Sequence, residues 1–160
     1  MTLLENRKRP PPFLCYIAAM RNLCLILMLA ALPLAAEKKV IAPPEFAKGA
    51  PYSPGILVDG TLYISGLVGQ DLKTKEFPAT FEEEVKTTLN NVGLVLKAAG
   101  MDFKDVVSVQ VYLTDIDLFA RMNAVYTTFF SEPRPARTTV GVTKLAAAAA
   151  KIEITVTARK

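Results

Sequence analysis

The sequence contains no histidine and no tryptophan, and its two cysteines, Cys15 and Cys24, both fall within the first 36 of its 160 residues. The rest of the chain therefore holds neither thiol nor imidazole. That removes cysteine nucleophiles, histidine general bases, Ser-His-Asp triads and zinc sites built on Cys and His. It also removes disulfides, so an oxidising compartment would leave no mark on residues 37–160. An excess of charge is missing there too. The whole chain has 19 Lys and Arg against 15 Asp and Glu, net +4, but residues 37–160 hold 15 against 14. The basic balance belongs to the N-terminal segment and lends no support to a nucleic-acid surface. Gly66 and Gly69 are not followed by any phosphate-loop pattern, so a nucleotide cradle has little support either.

Apolar residues are plentiful in one place. Residues 13–36 carry a single charge, Arg21, and their densest run is Leu23-Cys24-Leu25-Ile26-Leu27-Met28-Leu29-Ala30-Ala31-Leu32. That run has the length of a signal-peptide core and is short for a membrane span, which needs about 20 apolar residues. Ala35-Ala36 before Glu37-Lys38-Lys39 offers a small-residue cleavage site, and Met20-Arg21-Asn22 would itself serve as a signal-peptide start. Residues 1–36 are read as an export leader, with an uncleaved anchor or a buried helix as alternatives. Periplasmic or secreted localisation follows from the leader reading; a cytoplasmic location follows if it fails.

Residues 37–160 are enough for one domain with one core. Ala42-Pro43-Pro44 reads as a short linker. The run Ile56-Leu57-Val58-Asp59-Gly60-Thr61-Leu62-Tyr63-Ile64 reads as a hairpin, because Asp-Gly supplies the positive φ angles of a two-residue turn. Thr80-Phe81-Glu82-Glu83 is a capping box opening a helix that Gly100 stops. Residues 106–113 alternate as a strand. Asp117 caps a second helix with the stripe Leu118, Met122, Val125 and Phe129. Residues 138–142 and 151–158 close the domain as strands, and the alanines at 146–150 form a connecting turn. The order β-β-α-β-α-β-β, with room for a further N-terminal strand, is an α+β sheet layered against two helices. Helices on one face alone leave the other face apolar, and packing against further copies would cover it.

Two charges stand inside these closing strands, Arg137 in Ala136-Arg137-Thr138-Thr139-Val140 and Glu153 in Ile152-Glu153-Ile154. Charges in apolar strands are rarely tolerated without a partner or a task. An arginine fork can hold a carboxylate by two parallel hydrogen bonds, and a nearby glutamate can orient or deprotonate a water. A salt bridge between the two at a strand edge explains the same spacing. Both readings stay open on the residues alone.

Eight segments in order resemble the RidA/YjgF family of reactive-intermediate (enamine/imine) deaminases, also known as endoribonuclease L-PSP. They are Gly49-Ala50-Pro51-Tyr52-Ser53, Leu62-Tyr63-Ile64-Ser65-Gly66, Asn90-Asn91-Val92 with Ala98-Ala99-Gly100, Asp105-Val106-Val107, Val111-Tyr112-Leu113-Thr114-Asp115, Asn123-Ala124-Val125-Tyr126, Arg134-Pro135-Ala136-Arg137-Thr138 and Ile152-Glu153-Ile154. The resemblance implies a chorismate-mutase-like α+β fold, a homotrimer with sites between subunits, and cofactor-free hydrolysis of 2-imino acids of the 2-iminobutanoate and 2-iminopropanoate type to 2-keto acids and ammonia. Carried over by position, Arg137 clamps the substrate carboxylate and Glu153 positions the water in one cleft. Tyr52, Ser65, Gly66, Asn123 and Thr139 line the pocket. A non-catalytic carboxylate-binding or regulatory trimer of the same fold is the alternative. The resemblance implies no metal, no nucleic-acid partner and no membrane partner beyond the leader. Three departures stand out: Thr139 stands in place of a common cysteine; Leu145 leads into alanines where Leu-Pro is common, with Arg137 to Glu153 one residue longer than usual; and an N-terminal export signal is unusual for the family. A one-residue slip reverses side-chain direction in a strand, so the alanine tract must absorb the extra residue if Glu153 is to face a site.

Overall fold

A computed structural model of the chain describes residues 37–160. The leader assigned to residues 1–36 and its cleavage site lie outside the described residues. The elements are β1 (Lys39–Ile41), β2 (Gly55–Val58), β3 (Thr61–Val68), α1 (Phe81–Ala98), β4 (Val106–Leu113), α2 (Phe119–Phe129), β5 (Ala136–Gly141) and β6 (Ile152–Arg159). They form a six-stranded sheet in the order β1-β2-β3-β6-β4-β5. Every neighbouring pair is antiparallel except β4 and β5, which α2 connects as a crossover. The expected α+β class is the observed one, with the further N-terminal strand present as β1.

Local chemistry accounts for most of the boundaries. Asp59 and Gly60 both take positive φ, 47° and 70°, which matches the twist of β2 and β3 and closes the hairpin. At the start of α1, Thr80 Oγ1 accepts from the Glu83 backbone N–H at 3.3 Å and donates to Glu83 Oε2 at 3.0 Å. Gly100, with φ +71°, ends the helix, and the Met101 N–H reaches back to the Leu96 carbonyl at 2.9 Å. The alanine tract is a turn, held by the Ala150 N–H on the Ala147 carbonyl at 2.9 Å.

The second helix differs from expectation. Asp117 caps nothing; Asp115 accepts from the Asp117 N–H at 3.0 Å and caps a 3-10 turn, Ile116–Leu118, that leads into α2. Leu118 at the α2 N-cap makes no side-chain bond. The buried stripe runs through Met122, Tyr126 and Phe130, with Leu118, Val125 and Phe129 packed at its margin. An aromatic body buries well even when it ends in a hydroxyl, so Tyr126 and Phe130 take the buried positions in place of Val125 and Phe129.

Both helices pack on one face of the sheet. Leu62, Ile64 and Leu67 of β3, Val109 and Val111 of β4, and Ile152, Ile154 and Val156 of β6 form the core with Val85, Leu89 and Val92 of α1. Truncating one of these fully buried leucines to alanine would cost about 2–5 kcal/mol. The opposite face is open in the single chain and mixed in character, with Tyr63, Tyr112, Gln110, Thr155 and Thr157 along it rather than an apolar surface. Among the described residues no helix is long and apolar enough to cross a membrane.

Candidate active site

Glu153 sits between two buried neighbours, Ile152 and Ile154, so strand alternation sends its side chain to the open face. Its backbone pairs with Tyr112 of β4 on one side and Val68 of β3 on the other. The pairing of β3 with β6 shifts register between Ile64 and Leu67, where β3 carries one residue more than its partner. This bulge is formed by Ser65 and Gly66 and brings Gly66 alongside Glu153. A Cβ built at Gly66 would fall on the Glu153 carboxylate, 2.8 Å from Cδ and 3.2 Å from Cγ. Glycine at this position leaves the Glu153 carboxylate its present place. Ser65 Oγ donates to the Ser53 carbonyl at 2.7 Å, and the Ser65 N–H donates to the Pro54 carbonyl at 3.1 Å. These bonds tie the Tyr52 loop to the bulge, and Tyr52 itself is 52 % exposed. Tyr52 and Ser53 also border an apolar groove of about 270 Å³ lined by Pro43, Pro44 and Phe46.

Arg137 and Thr139 lie on the other side of the sheet. They pair with Val109 and Val111, whose side chains face the helices, and residues directly opposite one another in a ladder share a face. β5 is the edge strand, where the helix layer runs out. There the Arg137 guanidinium lies 4.5 Å from the Tyr126 ring centroid and 5.5 Å from that of Phe119, a cation–π arrangement. Asn123 stands four residues after Phe119 and three before Tyr126, on the same helical stripe, and is partly exposed. Among the described residues Arg137 has no carboxylate partner, whereas its neighbour Arg134 pairs with Glu132 and donates to the Phe130 carbonyl at 3.2 Å. The Tyr126 and Thr139 hydroxyls are buried with no hydrogen-bond partner. Burial pushes the Tyr126 phenol above its ordinary value, and the positive charges of Arg137 and Arg134 oppose that rise.

The structure thus gathers the sequence-derived residues into two groups. Ser65, Gly66 and Glu153, with the Tyr52 loop tied to them, occupy the open face. Arg137 and Thr139, with Asn123 on the adjacent helix stripe, occupy the helix side of the edge strand. Within one chain Arg137 and Glu153 leave the sheet on opposite faces, so they neither form the salt bridge that their spacing allowed nor converge on a single cleft. Tyr126, the closest aromatic to Arg137, was not singled out as a site residue from the sequence. The signal available was its place three residues after Asn123 on a helical stripe.

The cleft of about 470 Å³ lined by Thr80, Glu82, Thr114, Asp115, Arg121 and Lys151 contains none of these residues. Its walls are bridged by Arg121 Nε and Nη2, which donate to the two Glu82 carboxylate oxygens at 2.6 and 2.8 Å. That pair holds the Glu82 carboxyl down at about 2. Among the described residues no group of three His, Cys, Asp or Glu side chains could hold a metal ion.

Comparison with known proteins places this geometry in context. A family model described as Endoribonuclease L-PSP matches residues 43–160. A bovine protein named 2-iminobutanoate/2-iminopropanoate deaminase is 45% identical over 96 residues, covering 59% of this chain and 70% of its own length. The YjgF gene product of E. coli has a solved structure that matches with a TM-score of 0.71 and 35% identity, covering 76% of this chain and 98% of that one. E. coli TdcF, solved with bound serine, matches with a TM-score of 0.69 and 32% identity over 76% of this chain and 98% of that one.

Proposed function

Because the chain belongs to the RidA/YjgF family, also described as endoribonuclease L-PSP, we propose that it is a hydrolytic deaminase converting 2-imino and enamine acids to 2-keto acids and ammonia. Relatives named as imine deaminases support the general activity. The observation that carries the finer reading is the division of the site. An unpaired guanidinium stands on one side of an edge strand, and an unpaired carboxylate stands in a glycine-lined notch on the opposite face. Neither half is sufficient alone. Setting the β5 edge of one copy against the open face of another joins them, and a closed homotrimer repeats that contact three times without leaving an unused edge.

In such a composite site the Arg137 fork, without a carboxylate partner among the described residues, takes the substrate carboxylate through two parallel hydrogen bonds. The iminium carbon beside it is already electrophilic. Glu153 of the adjoining copy accepts a proton from water as the water oxygen bonds to that carbon, giving a carbinolamine. The same carboxyl returns the proton to the nitrogen; the carbinolamine hydroxyl then gives its proton to Glu153 as its oxygen forms the carbonyl and the C–N bond breaks, and the 2-keto acid leaves with ammonia, which takes up that proton. Holding the water and the carboxylate in register supplies the acceleration, and general-base assistance of this kind contributes about 10²–10⁴-fold. Tyr52, Ser65, Gly66, Asn123 and Thr139 line the cavity. The Thr139 and Tyr126 hydroxyls, unpartnered in the single chain, bring polar atoms to the neighbourhood of Arg137. The reaction is placed outside the cytoplasm, with residues 1–36 acting as the export leader.

The test couples residues 37–160 to an amino-acid oxidase and follows the decay of the released imine. Acceleration at micromolar protein, abolished by Arg137→Ala, is the expected result. Decay at the buffer rate would remove the enzymatic reading and leave a carboxylate-binding trimer.

A further inference from the structure

The face of α1 that meets the sheet is apolar except for Glu84, Thr88 and Asn91, which are 2 %, 0 % and 6 % exposed. Spacings of four and three put them on one stripe. Burying a carboxylate among aliphatic side chains costs several kcal/mol unless donors meet it, so its presence asks for a reason. Glu84 Oε1 accepts from the Lys151 N–H at 2.7 Å and, at a longer 3.4 Å, from the Ile152 N–H. Asn91 Nδ2 donates to the carbonyls of Val68 and Gln70, both at 3.0 Å. Thr88 Oγ1 donates to the Glu84 carbonyl at 2.8 Å, binding the stripe together. Gly69 lies so close that a Cβ there would meet the Glu84 side chain at 2.6 Å.

The Glu84 and Asn91 bonds end on the backbone at one place, where β3 ends and β6 begins. Lys151 and Ile152 are the two residues before Glu153, and Val68 is the residue that pairs with Glu153 across β3. The segment preceding β6 is the alanine turn, mostly exposed and internally held by one backbone bond, so it does little to fix where β6 begins. We propose that Glu84 and Asn91 are positioning residues, a polar clamp on α1 that fixes the ends of β3 and β6 and thereby the backbone beneath Glu153. The clamp acts from the helix side, so it reaches Glu153 only through the strands. It also anchors the start of β6 behind the exposed alanine turn, on the N–H side of Lys151, whose carbonyl accepts from the Thr114 N–H at 3.0 Å. The catalytic half of this inference rests on the proposed role of Glu153; the anchoring half does not.

The experiment compares Glu84→Gln, Glu84→Leu and Asn91→Leu in the assembled protein by deaminase kinetics and by amide hydrogen exchange. Glutamine keeps an oxygen that can accept both N–H groups and should retain kcat within about threefold. Leucine at 84 should lower kcat by roughly 10²-fold while KM stays within about threefold, because the carboxylate-binding arginine is on another strand. Exchange at Lys151, Ile152 and Glu153 should quicken by roughly 10²-fold, with β2 unchanged. Wild-type kcat in folded Glu84→Leu, or equal damage in Glu84→Gln, overturns the clamp. If Glu84→Leu does not fold, Asn91→Leu decides, since it must lower kcat and quicken exchange at Val68 to Gln70. A parent protein with no turnover at all would count against the deaminase reading instead; the exchange arm then still judges the anchoring, and unchanged protection at Lys151 and Ile152 would overturn it.

Discussion

Replacing Gly66 by alanine puts a methyl group where the Glu153 carboxylate now lies. The built Cβ stands 2.8 Å from Cδ and 3.2 Å from Cγ, closer than carbon atoms pack, and it overlaps the carboxylate oxygen. Gly66 is not in the left-handed region, so alanine adds no backbone strain. The carboxylate is the far end of a flexible side chain and can rotate away. A forced rotamer costs about 0.5–1.5 kcal/mol, and the lost freedom of the unfolded chain offsets about 0.4–1 kcal/mol of it, so stability should change by less than about 1 kcal/mol. Catalysis has no such tolerance. In the proposed mechanism Glu153 orients the water, and moving that group by about 1 Å costs roughly 10²-fold. Steady-state kinetics with oxidase-generated imine should therefore show kcat down about 10²-fold in Gly66→Ala, with a melting temperature within a few degrees of the parent. The double variant Gly66→Ala/Glu153→Gln should be no slower than Glu153→Gln alone, because no catalytic carboxylate is left to displace. Unchanged kcat in Gly66→Ala, or additive losses in the double variant, would refute the assignment of Glu153.

Other outcomes follow from the same geometry. Arg137→Lys keeps the charge but loses the planar fork, and should lower kcat/KM by at least about tenfold in the same assay. Tyr126 titrates above its ordinary value, so the unfolded chain releases this proton first, and stability should fall as pH rises past 10. Difference absorbance should show a tyrosine ionising above pH 10 that Tyr126→Phe abolishes. Glu82 is depressed to about 2 by Arg121, so its contribution is complete above 4.5 and disappears as pH falls towards 2. Thermal melts of the parent and Glu82→Gln should differ by a small constant at neutral pH, small because the pair is exposed, and converge in that acid window.

The parts of the fold written in local chemistry were legible in the sequence. The Asp59-Gly60 turn, the Thr80 cap and the Gly100 stop each need only a few neighbouring residues, and the 106–113 strand was read with its observed bounds. The helix start beyond residue 115 was not, because Asp115 and Asp117 are equivalent as capping residues and the 3-10 turn decides between them. The faces of Arg137 and Glu153 were harder still. Alternation within each strand says which residues share a face, but only the pairing of β5 with β4 and of β6 with β3 says which face that is. Glu84 illustrates the same limit. As the fourth residue of a helix that opens on a capping box, it reads as ordinary first-turn acid until the strands beneath it are placed.

In the proposed mechanism Arg137 and Glu153 act together from different copies of the chain. Mixing Arg137→Ala and Glu153→Ala protomers, each inactive alone, by co-refolding in equal amounts tests it directly. Random assembly of a trimer with sites between copies leaves both residues intact in about one quarter of the sites, so the mixture should regain about one quarter of the parent activity. A mixture that assembles normally but stays as inactive as its components would contradict the account.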